Sequence, residues 1–359
     1  MRYQSIRPGK VWLDTSGNRI QAHGGSVIAI GDTFYWYGEN KEMTTPGSGI
    51  WHWGVRCYAS KDLYNWEDKG VIIPPDEEDL TSPLHPSQCM DRPHIIYNRK
   101  TEKYVCWLKI MEKDQTQSET VLTADGILGP YVMVRKGLRP LGMSAGDFDL
   151  AVDPSDGKAY YFFERVHSEI ICADLTEDYT DVTGYYSTHF PNNYPPYVRE
   201  APAHFKRKGL HYLFTSGTSG YHPNPSEAAC AKTWHGPWKV LGDPHPEDTS
   251  RTSYNSQITS VFRHPGKKDL YIALADRWMY NLPELEGDKF HTGEGYRNIA
   301  AKMEQIFNPD IENKTVKEGD DWGPEVNTSL ADYVWLPIRF EGEMAYLDYL
   351  EEWRIEDYE

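Results

Sequence analysis

Five times along the chain, a short run of alternating polar and apolar positions gives way to a Gly/Asp/Lys turn and a second run rich in Tyr and Phe. The units are QAHGGSVIAIGDTFYWYGENK (21–41), CMDRPHIIYNRKTEKYVCWLKI (89–110), AGDFDLAVDPSDGKAYYFFERV (145–166), REAPAHFKRKGLHYLFTSGT (199–218) and NSQITSVFRHPGKKDLYIALAD (255–276). Each reads as a strand, a turn and a second strand. In each, a polar residue precedes a Tyr by 12 to 14 positions: His23 and Tyr35, Asp91 and Tyr104, Asp147 and Tyr160, Glu200 and Tyr212, Gln257 and Tyr271. Third and fourth strands are expected in VRCYASKDLYNWEDKG (55–70), SETVLTADGILGPYVMV (118–134), SEIICADLTEDYTDVTG (168–184) and SEAACAKTWHGPWKVLG (226–242).

Four strands per repeat in five repeats predict an all-β, five-bladed β-propeller. A β-sandwich is the alternative architecture, and the five-fold register disfavours it. The fifth tail is displaced. A polar stretch over 281–330 interrupts the last blade, and closing strands are expected within 333–353. Inside the insertion, GYRNIAAKMEQIF has the apolar spacing of a short helix. With no low-complexity linker, one catalytic-size domain is expected over 1–359. In a propeller the first strand of each blade lines the central channel, so the five polar register residues converge in one funnel.

A net charge of −17 disfavours nucleic acid as a partner. No apolar run is long enough to span a membrane. The N-terminus has no signal-peptide core, and the five cysteines are scattered without CxxC spacing. These points lead us to expect reduced thiols and a cytoplasmic setting, although a trimmed secreted chain would look the same at its start. The 25 Tyr and 12 Trp suit both sheet packing and stacking on sugar rings. Trp51, Trp53 and Trp278 are candidates for such walls; ordinary blade packing is the plainer reading.

Converging carboxylates with no basic partner repel, and repulsion keeps one of them protonated near neutral pH. A protonated carboxyl facing an ionised one is what glycoside hydrolysis uses, with a gap of about 6.5–9.5 Å in inverting enzymes. The plainer reading of each acid is a hydrogen bond to neighbouring backbone. Asp153 and Asp156, in VDPSDG, read as turn residues. His23 and Asp91 are candidates for a structural ion pair. No HExxH or HxxxH spacing supports a metal at His23, no GxSxG or phosphate loop occurs, and no cofactor is expected.

These segments together resemble glycoside hydrolase family 43, and within it the exo-β-1,3-galactanase-like branch. The resemblance is carried by DTSGNRIQAHGG (14–25), YWYGEN (35–40), DRPHIIYN (91–98), GDFDLAVDPSDGKAY (146–160), REAPAHFKRKGLHYLFTSGTSG (199–220), YNSQITSVF (254–262), ADRW (275–278) and YVWLP (333–337). It implies a five-bladed, inverting exo-glycosidase acting on β-1,3-linked galactose in oligosaccharides. It places the general acid at Glu200, the carboxylate that tunes it at Asp147, and a water-holding amide at Gln257. That amide would act by positioning water or as an imidic acid. His23 stands where the wider family places an Asp base. Glu39, Asp91, Thr218, His23 and Trp278 are the implied sugar contacts.

Two departures bear on the substrate. Asp91 stands where the branch usually has Glu, which draws the carboxylate back by about 1.5 Å. The second is the long insertion. β-D-Galactofuranosides and α-L-arabinofuranosides are alternative substrates, and a non-catalytic sugar-binding propeller is the alternative of another class. The sequence sets no oligomeric state.

Overall fold

The computed structural model describes residues 2–316 and 326–359. Its strands form five antiparallel sheets, each laid down in chain order. Blade 1 holds β1 (His23–Ile30), β2 (Thr33–Glu39), β3 (Val55–Ser60) and β4 (Glu67–Ile73). Blade 2 holds β5 (Cys89–Asn98), β6 (Lys103–Met111), β7 (Gln117–Ala124) and β8 (Val132–Leu138). Blade 3 holds β9 (Ala145–Val152), β10 (Ala159–Arg165), β11 (Glu169–Leu175) and β12 (Val182–His189). Blade 4 holds β13 (Arg199–Arg207), β14 (Leu210–Gly217), β15 (Glu227–Ala231) and β16 (Lys239–Gly242). Blade 5 holds β17 (Gln257–Arg263), β18 (Tyr271–Arg277), the short β19 (Asp332–Tyr333), β20 (Leu336–Glu341) and β21 (Met344–Leu347). The five-bladed propeller expected from the repeats is therefore the fold. All four predicted tails supply the outer strand pairs.

The alternation that marks a strand breaks at one place in every innermost strand. The cross-strand register slips by one residue between His23 and Ser26, Asp91 and His94, Ala145 and Phe148, Glu200 and Ala203, and Ile258 and Ser260. Each slip is a β-bulge that puts one extra residue on the channel strand. In three blades the residue after the polar register position takes a left-handed backbone: Gly24 (φ 62), Arg92 (φ 53) and Ala201 (φ 47). Two neighbouring side chains are thereby re-aimed at the top of the channel. Lower down, His94 Nδ1 lies 2.9 Å from Asp149 Oδ1, and Asp149 Oδ2 accepts the His204 N–H at 2.7 Å, tying three inner strands together.

The seam between blades 1 and 5 is aromatic. Trp36 packs against Trp335 at 4.5 Å, Tyr333 at 4.6 Å and Trp66 at 5.3 Å between ring centroids. The termini meet beside it, where Ile6 and Trp353 exchange backbone hydrogen bonds of 2.9 and 3.0 Å. This burial of large rings, together with Ser260 Oγ–Ser26 Oγ at 2.9 Å, closes the ring.

The predicted helix of the insertion is α3 (Glu294–Phe307), and two shorter helices, α1 (Leu282–Glu286) and α2 (Asp288–His291), precede it. The part of the expected insertion over 317–325 lies outside the described residues. Asp153 and Asp156 are turn residues as expected: Asp153 accepts the Ser155 N–H at 2.9 Å and Asp156 the Lys158 N–H at 3.0 Å. Four cysteines are buried thiols, Cys89 is half-buried, and all five are free. No described helix is long and apolar enough to cross a membrane.

Candidate active site

A cavity of about 170 Å³ opens at the top of the channel, lined by Glu39, Asp91, Asp147, Glu200 and Gln257 together with Arg92 and Lys109. Four inner strands deliver Asp91 and Arg92 (β5), Asp147 (β9), Glu200 (β13) and Gln257 (β17), and the second strands β2 and β6 add Glu39 and Lys109. Trp51, Tyr221 and Trp278 form its aromatic wall. Trp51 and Tyr221 are near-parallel at 6.0 Å, and Tyr221 meets Trp278 at 5.3 Å.

The expectation of carboxylates without a basic partner is corrected here. Arg92 Nη2 meets Asp147 Oδ2 at 2.6 Å, and Lys109 Nζ meets Asp147 Oδ1 at 2.7 Å and Asp91 Oδ2 at 3.3 Å. Lys41 Nζ lies 2.9 Å from Glu39 Oε2 and 3.8 Å from Asp91 Oδ1. Burial works to raise the pKa of Asp147, but Arg92 and Lys109 outweigh it and hold the carboxyl well below the usual range. Asp91 is also lowered, by Lys109 and Lys41 against its burial. Glu200 goes the other way. Burial, then the charges of Asp147 and Glu164, push its carboxyl well above its ordinary value. One carboxyl is thus kept protonated beside one kept ionised.

Gln257 joins these groups. Its Oε1 accepts from Arg92 Nη2 at 2.5 Å and from Trp278 Nε1 at 3.3 Å. Its Nε2 donates to Glu200 Oε1 at 3.1 Å and to Ser216 Oγ at 3.0 Å. Both neighbours of Oε1 are donors, so this atom is the amide carbonyl, and an imidic acid hydroxyl there would face no acceptor. The imidic acid alternative is therefore disfavoured by the geometry. Glu200 Oε1 receives the amide N–H, which leaves Oε2 to carry the carboxylic proton. All four hydrogen-bond places of Gln257 are filled, and the longest, to Trp278, is the one a water would take.

Three of the implied sugar contacts stand on the cavity wall: Glu39, Asp91 and Trp278. Asp91 Oδ1 also accepts Trp51 Nε1 at 2.7 Å. Two expected contacts stand behind it. Thr218 is buried with its Oγ1 donating to Val198 O at 3.1 Å. His23 is wholly buried, its Nδ1 2.9 Å from Asp276 Oδ1 and its ring stacked on Tyr333 at 4.8 Å. The structural partner of His23 is therefore Asp276, not the expected Asp91. It props the seam behind Trp278. Trp53 is also absent from the wall, and Tyr221 takes its place. Tyr221 sits on a loop fixed to the insertion, where His222 Nε2 meets Glu286 Oε1 of α1 at 3.0 Å. No group of three His, Cys, Asp or Glu among the described residues is placed to hold a metal ion.

Glu164 of β10 is one of the charges that raise the Glu200 pKa. It is buried, accepts the His167 N–H at 2.8 Å, and has its pKa raised to about 7 by burial, with Asp147 adding to the rise. A carboxyl whose pKa is raised on folding costs nothing below its unfolded value, costs progressively more as pH rises from there to its folded value of about 7, and keeps that full cost above it. Glu164→Gln should therefore match the wild type near pH 5 and exceed it by about 1–3 kcal/mol at pH 8 in urea unfolding. A gap that stays constant from pH 5 to 8 would contradict this.

The model of glycosyl hydrolases family 43 matches residues 20–288, more than half of the chain. No curated protein matches it. A family 43 β-1,3-galactosidase of known structure is 27% identical, with a TM-score of 0.76 over 100% of this chain and 65% of that one. The exo-β-1,3-galactanase from Clostridium thermocellum is 27% identical, with a TM-score of 0.73 over 97% of this chain and 66% of that one. A β-1,3-galactosidase solved with galactodeoxynojirimycin is 26% identical, with a TM-score of 0.75 over 98% of this chain and 100% of that one. The chain thus spans about two-thirds of the length of the first two.

Proposed function

The chain belongs to glycosyl hydrolase family 43, and on that premise we propose that it is an inverting exo-glycosidase releasing terminal β-1,3-linked galactose from galacto-oligosaccharides. The observation that carries the reading is the hydrogen-bonded run from ionised Asp147 through Arg92 and Gln257 to Glu200, whose pKa is raised. Glu200 Oε2 donates its proton to the leaving oxygen as the glycosidic bond breaks. Asp147, fixed by Arg92 and Lys109, keeps that proton in place through its charge. Gln257 orients the attacking water when Trp278 yields its 3.3 Å bond. Asp91 and Glu39 read hydroxyls of the terminal sugar. A cavity of about 170 Å³ suits one sugar ring better than a chain, which favours attack at an end. The names of the similar structures point to the same linkage.

The test is turnover of β-1,3-galactobiose beside aryl β-galactosides, β-galactofuranosides and α-L-arabinofuranosides, with the first-formed anomer read by NMR. Release of α-galactose from the biose is expected. Turnover of a furanoside alone would move the substrate to that class. Sugar binding with no turnover of any of them would make the chain a binding propeller. Gln257→Ala should lower kcat by about 10²-fold, a size usual for a group that holds a reactant. Near-full activity in that variant would remove Gln257 from the mechanism.

A further inference from the structure

A second cavity, of about 320 Å³, adjoins the first. Trp51 and Tyr221 line both, so this near-parallel pair is a wall that the two share. Their linings differ in kind. Six charged side chains face the first: Glu39, Asp91, Arg92, Lys109, Asp147 and Glu200. Among the described residues, no charged side chain lines the second. Its walls carry the hydroxyl residues Thr44, Thr45, Ser48, Ser87 and Thr328, with Val326 beside them. An aromatic face with hydroxyls around it suits an uncharged sugar. Ring C–H groups pack on the aromatic plane, and hydroxyls both donate and accept. An acidic sugar would find no cation there.

We propose that this cavity binds the uncharged sugar on the leaving-group side of the scissile bond, and that the insertion after β18 builds the site. The proposal rests on the glycosidase reading above and places the part of the substrate that lies outside the first cavity. That cavity suits one ring, so the other sugar of a disaccharide must pass out of it. A further neighbour, behind Gln257 and Trp278, is about 10 Å³, the size of a water. The space beyond the Trp51–Tyr221 pair is about 320 Å³ against about 170 Å³ for the first cavity, which is ample for a second ring. The acid also points to this side. Glu200 pairs with Ser216 of β14, and the loop carrying Tyr221 continues from that strand. One hairpin therefore supplies both the proton for the leaving oxygen and the wall beside the leaving sugar.

The shared wall is held in place before any sugar arrives, which lowers the ordering cost of binding. Trp51 donates its indole N–H to Asp91 Oδ1 at 2.7 Å and its backbone N–H to Pro86 O at 2.7 Å. The Lys41 ammonium stands 4.8 Å from its ring centroid. In the Tyr221 loop, Ser219 Oγ donates to His222 O at 2.6 Å and accepts from Asn224 Nδ2 at 2.6 Å. The insertion meets the cavity from both of its ends. At its start, Glu286 of α1 holds His222, next to Tyr221, at 3.0 Å. At its end, Val326 and Thr328 form part of the lining, and the residues that follow are tied to the chain just ahead of β1. Gln21 Nε2 donates to Ser329 O at 3.0 Å, and Arg19 Nη1 to Ala331 O at 3.1 Å.

The experiment compares kcat/KM on β-1,3-galactobiose, β-1,3-galactotriose and β-galactosyl fluoride, the last of which has no leaving sugar. The proteins are wild type, Ser87→Trp, which fills the cavity, and Glu286→Ala, which releases the Tyr221 loop. Binding energy from the part of a substrate remote from the reacting bond is spent on catalysis, so both variants should lose about tenfold more on the biose than on the fluoride. Losses on biose and fluoride that agree within about threefold in S87W overturn the leaving-sugar site. The same agreement in E286A overturns the insertion's part in it. A loss confined to the triose puts the cavity one sugar further out and also overturns the proposal. If S87W does not fold, Val326→Trp fills the cavity from the insertion's side and is read in the same way. A wild type inactive on all three substrates would instead fail the glycosidase reading, a result separate from these.

Discussion

Glu200→Gln should lower kcat on β-1,3-galactobiose by about 10³-fold, within the range usual for loss of a general acid. The fold should survive, because Gln at this place still offers a carbonyl to Gln257 Nε2, which now reaches Glu200 Oε1 at 3.1 Å. What is lost is the proton on the other oxygen. The loss should depend on the leaving group. A sugar alkoxide cannot depart unprotonated, whereas a dinitrophenolate can, so dinitrophenyl β-galactoside should retain most of its turnover. The basic limb of the wild-type pH profile should also vanish, since it reports the ionisation of a carboxyl that burial, Asp147 and Glu164 hold high. Equal losses on the biose and the activated aryl glycoside would show that Glu200 is not the proton donor.

Arg92→Met should have the largest effect on the molecule as a whole. Arg92 is almost wholly buried, and one of its nitrogens serves both Asp147 at 2.6 Å and Gln257 at 2.5 Å. Removing it leaves Asp147 ionised in the interior with Lys109 alone as partner. Breaking a buried pair from one side costs about 3–5 kcal/mol, and the surviving lysine should keep the loss near the lower figure. The orientation of the Gln257 amide goes with it, because Oε1 then retains only the weak Trp278 contact. Urea unfolding should record the stability loss, and kcat should fall at least as far as in Gln257→Ala. A variant with wild-type stability would mean that Asp147 is neutral in the folded protein, against the two cations found on it.

The repeat of polar residue, turn and tyrosine was enough to read the fold and four of the inner strands' contributions to the site: Asp91, Asp147, Glu200 and Gln257. It was not enough to read Arg92, Lys109, Lys41 or Tyr221. Strand alternation sends Arg92 to the face opposite Asp91, and only the bulge brings both to the cavity. Lys109 is the direct cross-strand partner of Asp91, a pairing that could have been read from the hairpin register. Lys41 lies just past the end of β2, and Tyr221 sits on a loop whose position is set by a contact with α1, 64 residues from His222 in sequence. His23 departs from its expected place for the opposite reason. It keeps the register of a channel residue, yet Asp276 and Tyr333 draw its ring into the seam.

The five bulges also divide the chain by how freely its length can change. Each inner strand has a phase, set at its bulge, that decides which side chains face the channel below it. Dropping one residue at 92 would invert that phase and turn His94 away from Asp149, unfastening blade 2 from blade 3. The same deletion in the insertion after β18 would shift no strand's phase. Variation in length should therefore collect in the long connections and stop at these five short windows. A one-residue gap there would mark a chain that has kept the outline of the propeller and lost its catalytic crown.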